Sequence, residues 1–162
     1  MTMTRSTRSW TGPLVTSALI AGALDITYAI VFSYFRSGTR PERVLQSVSS
    51  GALGRDAYAG GAATAALGLG FHFLIAFTIT AIFFAAAARM PALTRRPLIT
   101  GALYGIGVYL VMNFVVIPLS RIGPLPRPGA GVMITGVLVH MFLIGVPIAS
   151  GARRAFRTGS WR

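Results

Sequence analysis

The sequence predicts an all-α, polytopic membrane protein: four transmembrane helices in an antiparallel bundle, with a short interfacial amphipathic helix between the first and second spans. Three observations carry that prediction. Hydrophobic residues make up 54% of the 162-residue chain and charged residues only 11%, whereas a soluble domain carries roughly 25% charged. Four apolar runs each reach the length of about 20 residues that a helix needs to cross the hydrocarbon core. Arginines stand at the ends of every run, as expected where helix ends meet a headgroup layer. The whole chain, 1–162, reads as one membrane domain.

Composition also excludes other classes. The chain has no cysteine, so disulfides, thiolate metal sites and cysteine redox chemistry are out of reach. The net charge of +12 comes from 15 arginines and no lysine, spread over the short segments between apolar runs. Nucleic-acid binding needs such charge gathered on one face, so no nucleic-acid partner is expected.

The first span covers about 13–35. Its basic start, apolar run and small triplet Ala21-Gly22-Ala23 imitate a signal peptide, but the run continues past Asp25 through ITYAIVFSYF, which favours an uncleaved span. The segment 37–61 follows. Thr39, Pro41 and Glu42 resemble a capping box with Pro in the first turn, and Val44, Leu45 and Val48 share a face, so an interfacial helix is expected over about 40–50. A flexible polar loop is the alternative. The second span runs over about 61–88, the third over 98–119 and the fourth over 129–152, with Pro118 and Pro147 near span ends, where they bend or terminate helices. The basic tail 153–162 combines Arg with Phe156 and Trp161, which suits anionic lipid headgroups and an aromatic belt.

With the N-terminus inside, cytoplasmic segments hold nine arginines (5, 8, 89, 95, 96, 153, 154, 157 and 162) and the other side six (36, 40, 43, 55, 121 and 127). Both termini are therefore expected in the cytoplasm, with dual topology as the alternative.

Polar residues inside the spans carry the functional information. They are Asp25, His72, Asn113 and His140, one per span. An ionised Asp at mid-helix costs about 2.5–3.5 kcal/mol on insertion scales, so it should face protein or water. Asp25 stands 11 residues before Arg36, His72 11 after Gly61, His140 11 after Gly129 and Asn113 8 before Arg121. At about 1.5 Å per residue, antiparallel spans place all four in one layer. Small residues agree: Thr64, Gly68, His72, Ala76 and Thr80 recur every four residues, as do Gly101, Gly105, Tyr109 and Asn113, which marks helix-facing stripes. Tyr28 lies beside Asp25. Gly68 precedes His72, and Gly136 precedes His140, by one turn, which leaves room beside each imidazole.

Three roles are open to this layer. The plainest is polar cohesion between helices, at about 0.6–2 kcal/mol per hydrogen bond, in a structural or accessory membrane protein. A second is proton or ion relay in a small coupled transporter, Asp25 and a His alternating their protonation. The third is cofactor or metal binding: haem between His72 and His140, with the glycines making room, or a transition metal on His72, His140 and Asp25. No catalytic residue is assigned, since no G-x-S-x-G elbow occurs and no Ser adjoins either His. The G-x-G patterns at Gly68 and Gly105 lie inside spans without a preceding strand. Four spans leave little room for a pathway within one chain, so a homo-oligomer is expected.

The runs RVLQSVSSGALGRDAYAGGAATAALGLGFHF, YGIGVYLVMNFVVIPLS and HMFLIGVPIASGARR resemble those of a group of small, uncharacterised bacterial inner-membrane proteins, with a more distant similarity to the YagU-like membrane proteins. The resemblance covers roughly 14–154 and is most specific at GGAATAALGLGFHF and VMNFVVIP. It implies a bacterial four-span protein of the inner membrane and supplies no reaction, cofactor or site residue. A second pattern is internal: each half of the chain ends in G-x-x-x-H, as a parallel duplication would.

Overall fold

The computed structural model describes residues 10–124 and 128–157, and among them the regular structure is entirely helical. Four helices are long and apolar enough to cross a membrane: α1 (Thr11–Ser37), α3 (Gly61–Arg89), α4 (Pro97–Leu119) and α5 (Ala130–Phe156). Between the first two of these lies α2 (Pro41–Leu53), and single 3₁₀ turns at Gly54–Tyr58 and Pro91–Thr94 complete the connections. The first three exceed their expected spans by a residue or two at one or both ends, whereas α5 begins one residue later than expected and runs four residues further. α1 stops where Gly38, at φ +65°, closes its last turn onto Ser33 and Tyr34, a left-handed cap that glycine adopts without strain.

Large apolar side chains stand outward along all four long helices: Leu19 and Val31, Leu74 and Ile82, Leu103 and Phe114, Ile134 and Phe142 are all more than 40% exposed. In water such a surface would aggregate; in a bilayer it is the solvated surface. Inward positions are small. Ala18, Ala21 and Gly22 of α1 are buried, and a Cβ on Gly22 would lie 2.8 Å from the Phe73 ring of α3. Gly101 and Gly105 of α4 meet the backbone of α5 at Gly145–Val146 and His140–Met141.

One half of the bundle is solid. Ala21 of α1, Phe83, Phe84 and Ala87 of α3, and Ile144, Ile148, Ala149 and Ala152 of α5 form a continuous buried cluster, with Leu14 and Tyr104 against it. The Tyr104 hydroxyl ties α4 to α3 by donating to the Ile79 carbonyl at 2.5 Å. The final helical stretch of α5 runs through Val146–Arg157, so Arg153, Arg154 and Phe156 belong to its last turns and not to a separate tail. Phe156 packs against Phe84, with centroids 6.0 Å apart, instead of standing in an aromatic belt. Trp161 and Arg162 lie outside the described residues.

α2 is a packed element, which removes the loop alternative. The capping box does not form: the helix starts at Pro41 with Arg40 as N-cap, one residue too late for Thr39, whose hydroxyl pairs with Ser37 at 2.8 Å instead. Gln46, 2% exposed, donates to the Gly61 carbonyl at 3.1 Å. The Leu45 carbonyl rests directly on Gly68 of α3.

Pro118 stands one residue before the end of α4, whereas the helix continues well past Pro147. Each is preceded by a π turn, Met112–Val116 in α4 and His140–Gly145 in α5. The amide just before each proline reaches five residues back, Ile117 to Met112 and Val146 to Met141. Proline lacks an N–H, and its ring clashes with the carbonyl four residues back. Widening the preceding turn relieves that clash within a continuing helix.

Candidate functional site

Asp25, His72 and His140 line one cavity of about 220 Å³. Its other walls are apolar apart from Ser47, and come from α1, α2, α3, α4 and α5, among them Val44 and Val48 of α2 and Met112 of α4. Ala21 and Ile144 belong both to this lining and to the buried cluster, so the three titratable groups sit where the solid half of the bundle gives way to the hollow half.

Each histidine is held by one ring nitrogen. His72 Nε2 lies 2.8 Å from the Gly22 carbonyl of α1, and His140 Nδ1 lies 2.9 Å from the Gly136 carbonyl one turn back on its own helix. A carbonyl only accepts, so these nitrogens carry the protons. In a neutral ring tethered this way the remaining nitrogen, Nδ1 of His72 and Nε2 of His140, is an acceptor, and in an imidazolium it is a second donor. Tyr109 buttresses the second imidazole edge-on, with centroids 5.3 Å apart. Asp25 makes no hydrogen bond to another described residue and lines the same cavity as both imidazoles.

Of the four residues expected in one layer, Asp25, His72 and His140 line this cavity. Asn113 does not line the cavity; its amide turns back to the Tyr109 carbonyl at 2.9 Å, because the π turn that begins at Met112 moves it off the stripe of Gly101, Gly105 and Tyr109. Tyr28 is also outside the lining and stacks on Phe32, with centroids 5.4 Å apart. None of Asp25, His72, Asn113 and His140 is hydrogen-bonded to another of the four.

Neither glycine leaves room beside its histidine. A Cβ on Gly68 would strike the Leu45 carbonyl of α2, and one on Gly136 would lie 2.8 Å from the Tyr109 ring. The notches that a macrocycle would need are already filled by protein. Among the described residues no three His, Cys, Asp or Glu side chains approach closely enough to hold a metal ion, so His72, His140 and Asp25 share a cavity without forming a ligand set.

Met112 and the α2 residues Ser47 and Val48 escape the sequence reading. A signal for Met112 exists: MNFVVIP and MFLIGVP share Met and Pro six apart, and each contains a π turn. The third and fourth spans thus share a device that G-x-x-x-H does not mark. Comparison with family models, curated proteins and solved structures finds no match to this chain, so its function is argued from the site alone.

Proposed function

We propose that the chain is a multi-pass protein of a bacterial inner membrane whose four spans form an antiparallel bundle around a proton-exchanging site at Asp25, His72 and His140, the site of a small proton- or cation-coupled carrier. One observation carries the reading. A mid-span acid with no hydrogen bond to another described residue lines a cavity beside two imidazoles, each anchored through one ring nitrogen. A proton arriving on His140 Nε2 makes an imidazolium that lines the same cavity as the carboxylate, the pair between which a proton would be exchanged.

Polar cohesion would call for hydrogen bonds among the four residues; of the bonds these four make to described residues, His72–Gly22 alone crosses between helices. The meeting of the N-terminal half of α1 with the C-terminal half of α3 in the buried cluster supports the antiparallel arrangement. The exposed arginines at the helix ends, Arg36, Arg89, Arg95, Arg96 and Arg121, suit anionic headgroups, and the excess of nine over six puts both termini in the cytoplasm. In this arrangement α2 lies at the outer interface with its inner face closing the cavity, and a homo-oligomer completes the pathway.

The test uses the scarcity of acids. The chain has three, and the other two, Glu42 and Asp56, are exposed and outside the spans. Infrared difference spectra of the reconstituted protein across a pH titration should show a carboxyl component that Asp25→Asn removes and His140→Ala displaces. A titration identical in wild type and Asp25→Asn overturns the proposal.

A further inference from the structure

Next to the small cavity lies a larger one of about 520 Å³. Its lining comes from α2, α3 and α4 and is apolar except for a few hydroxyls, Ser47, Ser50, Tyr58 and Ser120. The two chambers adjoin at Ser47, Val48, Ile75 and Met112, which line both. All the carboxylate and imidazole chemistry lies to one side of this shared lining, and the space for an apolar body lies to the other.

We infer that the two chambers together bind a monovalent organic cation with an apolar body, an ammonium head against Asp25 and an aromatic or alkyl portion in the larger chamber. The inference rests on the proton-exchange reading of Asp25 and names the substrate class of that site. Charge decides the head. The small chamber presents one carboxylate and has no fixed cation in its lining; an N–H donor bearing positive charge supplies the counter-charge that the carboxylate lacks. A bare metal ion is a poor occupant, since three of these side chains do not come within ligating reach of one point. Volume decides the body: the larger chamber falls in the range of small-molecule sites, about 300–1,000 Å³, and its walls reward burial of apolar surface at roughly 25 cal/mol per Å².

Proton coupling follows from the shared carboxylate. Asp25 holds a proton or faces the ammonium head, so each cation that binds to the protonated site releases one proton, with no covalent bond made or broken apart from that O–H. The buried cluster beyond Ala21 and Ile144 blocks the other half of the bundle, so the site is reached from the side of α2.

The experiment is calorimetric titration of the full-length protein in detergent with phenylbutylamine, and with phenylbutanol as its neutral counterpart, across a pH series. Saturable one-site binding of the amine is expected, at least tenfold tighter than the alcohol, weakening as pH falls and releasing close to one proton per amine. Ala52→Trp, which fills only the larger chamber, should weaken the amine at least tenfold while the Asp25 infrared component persists. Asp25→Asn should lose both, with Asp25→Glu restoring amine binding if the fold needs an acid there. Equal binding of amine and alcohol, or undiminished amine binding in Asp25→Asn, overturns the inference. No saturable amine binding with the infrared component intact overturns it too and leaves proton exchange standing, whereas failure of the proton reading shows separately, as a missing infrared component.

Discussion

Replacing Gly68 by Ala tests whether α2 is part of the bundle or lies loosely over it. The added methyl would be driven into the Leu45 carbonyl, with the carbonyl carbon at 2.8 Å and the Ser49 amide nitrogen at 3.2 Å. These are backbone atoms of a helix and cannot rotate aside, so α2 must move as a unit. Overpacking of this kind costs about 1–3 kcal/mol, and a backbone obstruction belongs at the upper end. Ala is otherwise the better helix former by about 1 kcal/mol, which Gly70→Ala isolates: Gly70 is two residues along the same helix and has nothing within 4 Å of its would-be Cβ. The two variants should therefore differ by about 3 kcal/mol, roughly a hundredfold in the unfolding equilibrium. Equilibrium unfolding in mixed dodecyl sulfate and dodecyl maltoside micelles, followed by circular dichroism, measures the difference. If Gly68→Ala is as stable as Gly70→Ala, the seat of α2 on α3 is wrong and the cavity loses its fifth wall.

The same logic applies between α4 and α5. Gly105→Ala should destabilise by about 1–3 kcal/mol because its Cβ would meet the His140 carbonyl and stand 2.7 Å from Met141 Cα, whereas Gly107→Ala, with nothing within 4 Å, should not; mixed-micelle unfolding separates them. Because the obstruction falls at the start of the π turn that carries His140, Gly105→Ala should also displace the Asp25 infrared component. Tyr104→Phe removes the 2.5 Å bond to the Ile79 carbonyl but keeps the edge contact with Phe83, centroids 4.9 Å apart. A loss of about 0.6–1.7 kcal/mol is expected, read from the same unfolding curves, with the infrared titration unmoved.

Span number and span ends are legible in the sequence because lipid imposes them: a chain that leaves the bilayer needs charge at the exit, and the arginines supply it. Part of the site is legible for a related reason. An ionisable residue such as Asp25 or His72 in an apolar run has few places to go, so its inward orientation can be read from its mere presence. Partners are harder. His72 and His140 bond to the carbonyls of Gly22 and Gly136, and every residue offers a carbonyl, so nothing in the letters singles these two out. Likewise, Gly68 and Gly136 are identical as text whether the space beside them is empty or filled, and only the approach of α2 and of the Tyr109 ring decides it. Asn113 misleads by rhythm, since four-residue spacing projects it onto the stripe of Tyr109 only while the helix stays α.

The π turns bear on how such a chain changes over time. In α5 the buried positions step from Val139 to Ile144, a stride of five, and then resume at Ile148 and Ala152 in strides of four. A π turn is the form that a one-residue insertion takes when the faces on either side of it are kept in register. Losing one residue between His140 and Gly145 would restore a plain α-helix, with both flanking stripes still aimed inward. That shorter helix would place proline's missing amide and its ring against an ordinary carbonyl. The wide turn and Pro147 are therefore physically coupled, so that removing the extra residue while keeping the proline should cost more than removing both, and Met112–Pro118 in α4 is bound by the same constraint.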